Sequence, residues 1–223
     1  MLGLSRAQIE DGTAIRLALD PAQNPLLGDA LNLTTHSKLT RALVHPHYTF
    51  AKKLSHAADS QDQRHRMTPA SRAILATHVD DEPDYIQPAI VNQVPEAAKL
   101  FRESMERTWS AARRLIALGM PETDAHYLLP NALTVRFTES TDLLNLHHKH
   151  RMRLCYNAQE EIWRASLDEA EAVSAVNPRI GQYLQPPCWH RQAAGVTPYC
   201  PEGTRYCGVP VWKIERKNYQ RVI

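Results

Sequence analysis

Residues 132–165 read ALTVRFTESTDLLNLHHKHRMRLCYNAQEEIWRA, and their pattern changes once. Ala132–Glu139 is rich in β-formers and alternates in part, which predicts a strand. From residue 141 the period becomes helical. Leu143, Leu146, His150, Leu154, Ala158, Ile162 and Ala165 step by three and four, the spacing of one helix face. Thr141 or Asp142 suits the N-cap. The helix is expected to run over 141–174, with a break near His147–His150.

Working outward, the next clear element is a helix over Pro95–Leu118. Pro95 suits the first helical position, and Gly119 followed by Pro121 stops it. Phe101, Met105, Trp109, Ala112 and Ile116 mark its buried stripe. Glu103 and Arg107 form an i,i+4 pair on another face. A short helix is expected over Pro121–Leu128. Leu39–Leu54 reads as a helix followed by a strand over Tyr48–Leu54. Residues 1–33 are weakly patterned and broken by Asp20-Pro21, Asn24-Pro25 and Gly28-Asp29. The chain from Asn177 onward is rich in Pro and Gly. It reads as a loop-rich appendage over 177–223 on a main domain over 1–176.

The whole chain has 223 residues, 43% apolar and 22% charged, which suits a globular domain with a real core. Lys+Arg 26 against Asp+Glu 24 leaves little net charge to recruit nucleic acid. No stretch approaches a membrane span. The opening MLGLSRAQIEDG turns polar too soon for a signal peptide. With 4 Cys and no leader, a cytoplasmic setting with reduced thiols or a metal is expected.

Several polar clusters can carry chemistry. Gln61-Asp62-Gln63-Arg64-His65-Arg66 is the densest, and its two Arg offer fixed donors for phosphate or pyrophosphate oxygens. A solvated charged turn is the bland alternative. Arg153, Asn157 and Glu160 are spaced i, i+4, i+7 on the expected helix, so a cation, an amide and a carboxylate share a face. Such a face can read a nucleotide or be only ion-paired surface. His147 and His150, one turn apart beside His148, could share a ligand or a metal.

In the tail, Cys188, His190, Cys200 and Cys207 give C-x-H-x9-C-x6-C. Four soft or borderline ligands in a loop-rich segment suit a tetrahedral structural zinc. Unrelated free thiols are the alternative. Cys155, on the expected helix, reads as core.

Two segments together resemble the flavin-dependent thymidylate synthases. The first is Thr49-Phe50 followed by Gln61-x-x-Arg64-His65-Arg66. The second is Leu129-Pro130, Arg136-Phe137, Arg153 and Ala158-Gln159-x-Glu161-Ile162. Order and separation fit the family pattern, and the pair is more specific than either alone. The resemblance implies an α+β fold, a mixed sheet with long helices, assembled as a homotetramer with active sites at subunit interfaces. It implies FAD, reduced by NADPH, and transfer of a one-carbon unit from methylene-tetrahydrofolate to C5 of dUMP. The flavin carries the hard chemistry and the protein supplies position and charge.

By position, Arg64, His65 and Arg66 would hold FAD. Asp142 and His148 stand where the family has cofactor-side Asn residues. Gln61, Ser71 and Arg153 would contact dUMP, Arg153 at the phosphate. The chain departs from the pattern at three places. After Arg66 it reads Met67-Thr68-Pro69-Ala70-Ser71-Arg72 instead of N-E-x-S-x-R-Y. Asp142-Leu143-Leu144 replaces N-x-R, and His126 replaces an Arg ahead of Leu129-Pro130. The Cys-bearing tail resembles the divergent second copy of two-copy members. Two other readings stand beside this one: a non-catalytic scaffold of the same fold, and a zinc-containing nucleic-acid module built on basic clusters at 64–66, 149–153 and 213–221.

Overall fold

A computed structural model describes residues 4–29 and 37–221. Helix α1 spans Asp11–Leu19 and α2 spans Leu26–Asp29. A 3-10 turn over Thr40–Val44 leads into strand β1, His47–Ser55. The expected helix before the strand is thus a tighter, shorter coil, as expected of a stretch interrupted by His45, Pro46 and His47. Helix α3 spans His56–Asp62, capped by the Ser55 side chain, which accepts from the Ala58 N–H at 3.1 Å. Strand β2 is Ala70–Arg72. Helices α4 (Ala89–Asn92), α5 (Pro95–Ala117) and α6 (Glu122–Ala125) follow, then strand β3, Thr134–Asp142. Helices α7 (Leu143–Arg153), α8 (Glu160–Val176), α9 (Pro178–Gly181) and α10 (Pro187–Ala193) complete the regular elements. The tail beyond α10 holds short 3-10 turns, one of them Val211–Lys213.

The architecture is α+β. Three strands lie in the order β1-β3-β2. β2 pairs antiparallel with β3, with Ala70 opposite Glu139, Ser71 opposite Thr138 and Arg72 opposite Phe137. Among the described residues no helix is long and apolar enough to cross a membrane.

The chain divides into two compact units, one of residues 1–49 with 140–222, the other of residues 50–139. The second is built on α5. Its Met105 and Trp109 bury against Leu133, with Tyr85, Phe101 and Leu129 packed around them. Phe101 stands edge-on to Tyr85 at 5.7 Å between ring centres. Gly119, at φ +92°, ends the helix in the left-handed region that a side chain disfavours. Ile116 is on the surface, so the expected stripe stops one turn early. The predicted Glu103–Arg107 pair is replaced by Lys99–Glu103 at 3.8 Å, the same spacing one turn back.

In the first unit the long helix expected over 141–174 is two helices. The break falls at 154–159, not at His147–His150. Asp142 caps α7, accepting from the Asn145 N–H at 2.8 Å, and Gln159 caps α8, accepting from the Ile162 N–H at 2.9 Å. Trp163 Nε1 donates to the Leu154 carbonyl at 3.2 Å and satisfies one of the groups freed at the end of α7. Around this corner Tyr156, Ala158 and Trp163 share a core with Cys188, Val211 and Tyr219 of the tail.

Candidate functional site

The Arg64-His65-Arg66 segment lies in the turn between α3 and β2. Its frame is hydrogen-bonded: His65 N–H to the Asp62 carbonyl at 3.0 Å, Thr68 N–H to the His65 carbonyl at 3.0 Å, and Thr68 Oγ1 to the same carbonyl at 2.7 Å. Arg64 and Arg66 are exposed and carry no ion pair among the described residues. His65 and Gln61 are half-buried, and Ser71 is exposed on β2.

Beneath this turn lies a set of buried charges. Lys52 on β1 sits 2.6 Å from Asp62 and 3.6 Å from Glu139. All three side chains are no more than 5% exposed. Arg72 Nε lies 2.8 and 3.1 Å from the two oxygens of buried Asp59, and Gln63 donates to Asp59 at 2.8 Å. The Arg72 guanidinium also stacks over the Phe137 ring, 4.3 Å from its centre. So the last turn of α3 is fixed from below by Lys52 and its first turns by Arg72. This leaves the two neighbouring Arg side chains free to face solvent or a ligand. The sequence reading missed these supports, because Lys52, Asp59 and Glu139 look like ordinary surface residues of a strand or helix.

In the first unit, α7 carries the remaining expected residues. Both oxygens of Asp142 are taken up by Asn145, at 2.8 to 3.0 Å. Asp142 therefore acts as a helix cap. His148 and Arg153 are half-buried. Burial, with Arg151 second, holds His148 below the ordinary imidazole value. His147 and His150 do not share a ligand. His150 Nε2 lies 3.1 Å from Glu169 Oε2, and the same carboxylate takes Lys149 at 3.1 Å. His147 packs edge to face on His190, 4.7 Å between ring centres. Burial, reinforced by His190 and Arg151, keeps His147 well below the ordinary value. Burial, then Arg151, pushes His190 down to about 3. Burial, then Arg191, pushes Arg151 down to about 10.

Two further expectations fail on this geometry. The i, i+4, i+7 face of Arg153, Asn157 and Glu160 does not exist, since α7 ends at Arg153 and α8 starts at Glu160. Asn157 instead donates to the Arg205 carbonyl at 2.6 Å. The Cys188, His190, Cys200, Cys207 set is not a preassembled metal centre either. His190 is fully buried against His147 and Trp189, and among the described residues no three His, Cys, Asp or Glu side chains are grouped to hold an ion. A cleft of about 690 Å³ near α1, lined by Arg6, Arg16, Arg179 and Tyr183, contains none of the expected residues.

A family model described as "Thymidylate synthase complementing protein" matches residues 16–179. The chain is 30% identical over 169 residues to a protein of Geobacter sulfurreducens named flavin-dependent thymidylate synthase, covering 74% of this chain and 70% of that one. It is 31% identical over 153 residues to a protein of the same name from Saccharolobus solfataricus, covering 66% and 56%. A third, from Clostridium tetani, is 27% identical over 183 residues, covering 74% and 71%. The chain thus spans little more than half the length of the Saccharolobus relative.

Proposed function

Because the chain belongs to the flavin-dependent thymidylate synthase family, we propose that it transfers a one-carbon unit from methylene-tetrahydrofolate to C5 of dUMP, as an FAD-dependent methyltransferase making dTMP. NADPH is the proposed reductant, a homotetramer the proposed assembly, and the cytoplasm the proposed setting. In an assembly whose copies share sites, the residues serving one ligand need not come from one chain.

The observation that carries this reading beyond family likeness is the turn after α3. Arg64 and Arg66 are cations without an ion pair among the described residues, held on a hydrogen-bonded frame, a donor set that fits the diphosphate of FAD. Arg64, His65 and Arg66 are therefore the proposed diphosphate residues. Arg153 is the proposed partner of the dUMP phosphate, with Gln61 and Ser71 as neutral hydrogen-bonding partners of the nucleotide. His148, kept neutral by burial, contributes a hydrogen bond rather than a charge. Asp142 contributes by fixing the start of the helix that carries His148 and Arg153. When bound, the flavin supplies the reducing equivalents.

The test is the visible spectrum of the purified chain before and after FAD loading and gel filtration, followed by dUMP-dependent NADPH oxidation and chromatography of dTMP. A retained flavin band with dUMP-dependent turnover is expected. A colourless protein after loading would overturn the cofactor reading, and leave a non-catalytic scaffold in its place.

A further inference from the structure

The cleft of about 690 Å³ beside α1 has no part in the proposed reaction. Two segments far apart in sequence line it, residues 6–16 and 179–183, both in the first unit. Apart from Arg16 and Arg179, its lining lies outside residues 16–179, so the shared family pattern does not account for it. Three guanidiniums line it, those of Arg6, Arg16 and Arg179. Arg16 and Arg179 are exposed and carry no ion pair among the described residues. Arg16 donates to the Thr13 hydroxyl at 2.8 Å. Arg6 stands 3.4 Å from Asp11, an exposed pair that a more highly charged anion displaces at little cost. The backbone on both sides is fixed. The Ser5 N–H and hydroxyl both bond Gln8 Oε1, at 2.9 and 3.0 Å, and close the turn that carries Arg6. Across the cleft, Gly181 seats α9 on α8, since a Cβ there would lie 2.5 Å from the Ser174 Cα. Ile180 and Leu184 are buried on either side of it, and Gln182 Nε2 donates to the Arg179 carbonyl at 3.0 Å.

We propose that this cleft binds a nucleoside phosphate, with Arg16 and Arg179 on the phosphate oxygens and Arg6 exchanging Asp11 for them. The planar guanidinium fork matches phosphate oxygens. A lone inorganic phosphate leaves most of the cleft empty, and the volume falls in the range of small-molecule sites, roughly 300–1,000 Å³. The rest of the lining suits a nucleoside. Glu10 and Asp11 repel phosphate, but they accept from ribose hydroxyls and from the amino group of a base. Ile9 and Ile15 offer apolar area to a flat ring. Burial, then Asp20, raises the Tyr183 phenol, which therefore keeps its proton as a hydrogen-bond donor at neutral pH. The site shares no residue with the set proposed for FAD and dUMP, and the inference does not depend on the proposed enzymatic activity.

The test is calorimetric titration of the full chain with ATP, with dTTP and with inorganic triphosphate. At least one of the two nucleotides should bind, with an affinity that falls as salt rises, and inorganic triphosphate should bind more weakly by about tenfold or more. Arg16→Ala and Arg179→Ala should each weaken the nucleotide by about tenfold, while Arg64→Ala and Arg153→Ala leave it nearly unchanged. Photolabelling of the unaltered chain with 8-azido-ATP should place the label within residues 6–16 or 179–183, a readout that needs no variant to fold. Failure of both nucleotides to bind at about 1 mM would overturn the proposal. Equal binding of inorganic triphosphate would overturn the nucleoside, leaving a site for phosphate alone. Loss in Arg64→Ala or Arg153→Ala with retention in Arg16→Ala would assign the binding to the proposed flavin and dUMP residues instead.

Discussion

Around α3 and β2 the buried acids meet bases. Asp59 takes Arg72, and Asp62 and Glu139 share Lys52. On α7 the balance is reversed. His147, His148, Lys149, His150, Arg151 and Arg153 crowd seven positions, and Glu169 answers Lys149 and His150 together. Where acids and bases pair, charge can be kept inside the protein. Where bases outnumber acids, burial falls on the group that most easily gives up its proton, and His147 and His190 become neutral. The first arrangement holds a rigid frame under exposed Arg64 and Arg66. The second makes a helix whose charge depends on pH.

The strongest way to break this comparison is to remove the shared partner on each side. Glu169→Gln removes the carboxylate that Lys149 and His150 share, and Lys52→Met removes the ammonium that Asp62 and Glu139 share. Each should lower unfolding free energy by about 3–5 kcal/mol in urea titration. A loss well under that would show that the pair opens to water. Acidification sharpens the contrast next. The folded-state values of His147 and His190 lie below the unfolded value, so the unfolded chain takes up their protons first. Their favourable contribution is present above the unfolded pKa of about 6.5 and is lost as pH falls below it toward the folded values. Each such histidine should add up to about 1.4 kcal/mol per pH unit to the loss. A His147→Phe variant should show a shallower dependence between pH 7 and 5.

Smaller effects should follow at the helix start and on the turn. Asp142→Ala removes the cap of α7 and should cost about 1 kcal/mol. Arg64→Ala and Arg66→Ala should leave the thermal midpoint nearly unchanged, within about 0.5 kcal/mol of stability, while flavin retention after gel filtration falls. A large stability loss in either would mean that these side chains support the turn itself.

Much of the fold was legible in local pattern. Helix α5 carried its own start, stripe and stop, and the turn bearing Arg64-His65-Arg66 stood out by composition. The break between α7 and α8 did not. Leu154 and Ala158 keep the helical period straight through it, and periodicity cannot see that Gln159 has turned to cap a new helix. The Lys52–Glu139 and Arg72–Asp59 pairs were hidden for another reason. Their members lie on different elements, and nothing local marks a Lys on a strand as buried.

Arg216 sits late in the chain, and its guanidinium reaches the Gly181 and Leu184 carbonyls at 2.5 and 3.0 Å, Glu171 at 2.9 Å and the Ser174 hydroxyl. This has a consequence for synthesis. Residues 50–139 are complete as soon as that stretch has left the ribosome. The unit that contains the first 49 residues must hold them unfinished while the middle is made, and its clamp arrives only with Arg216. A nascent chain stalled between residues 139 and 216 would therefore present one finished body and one open half, and the open half is where a chaperone or protease would act.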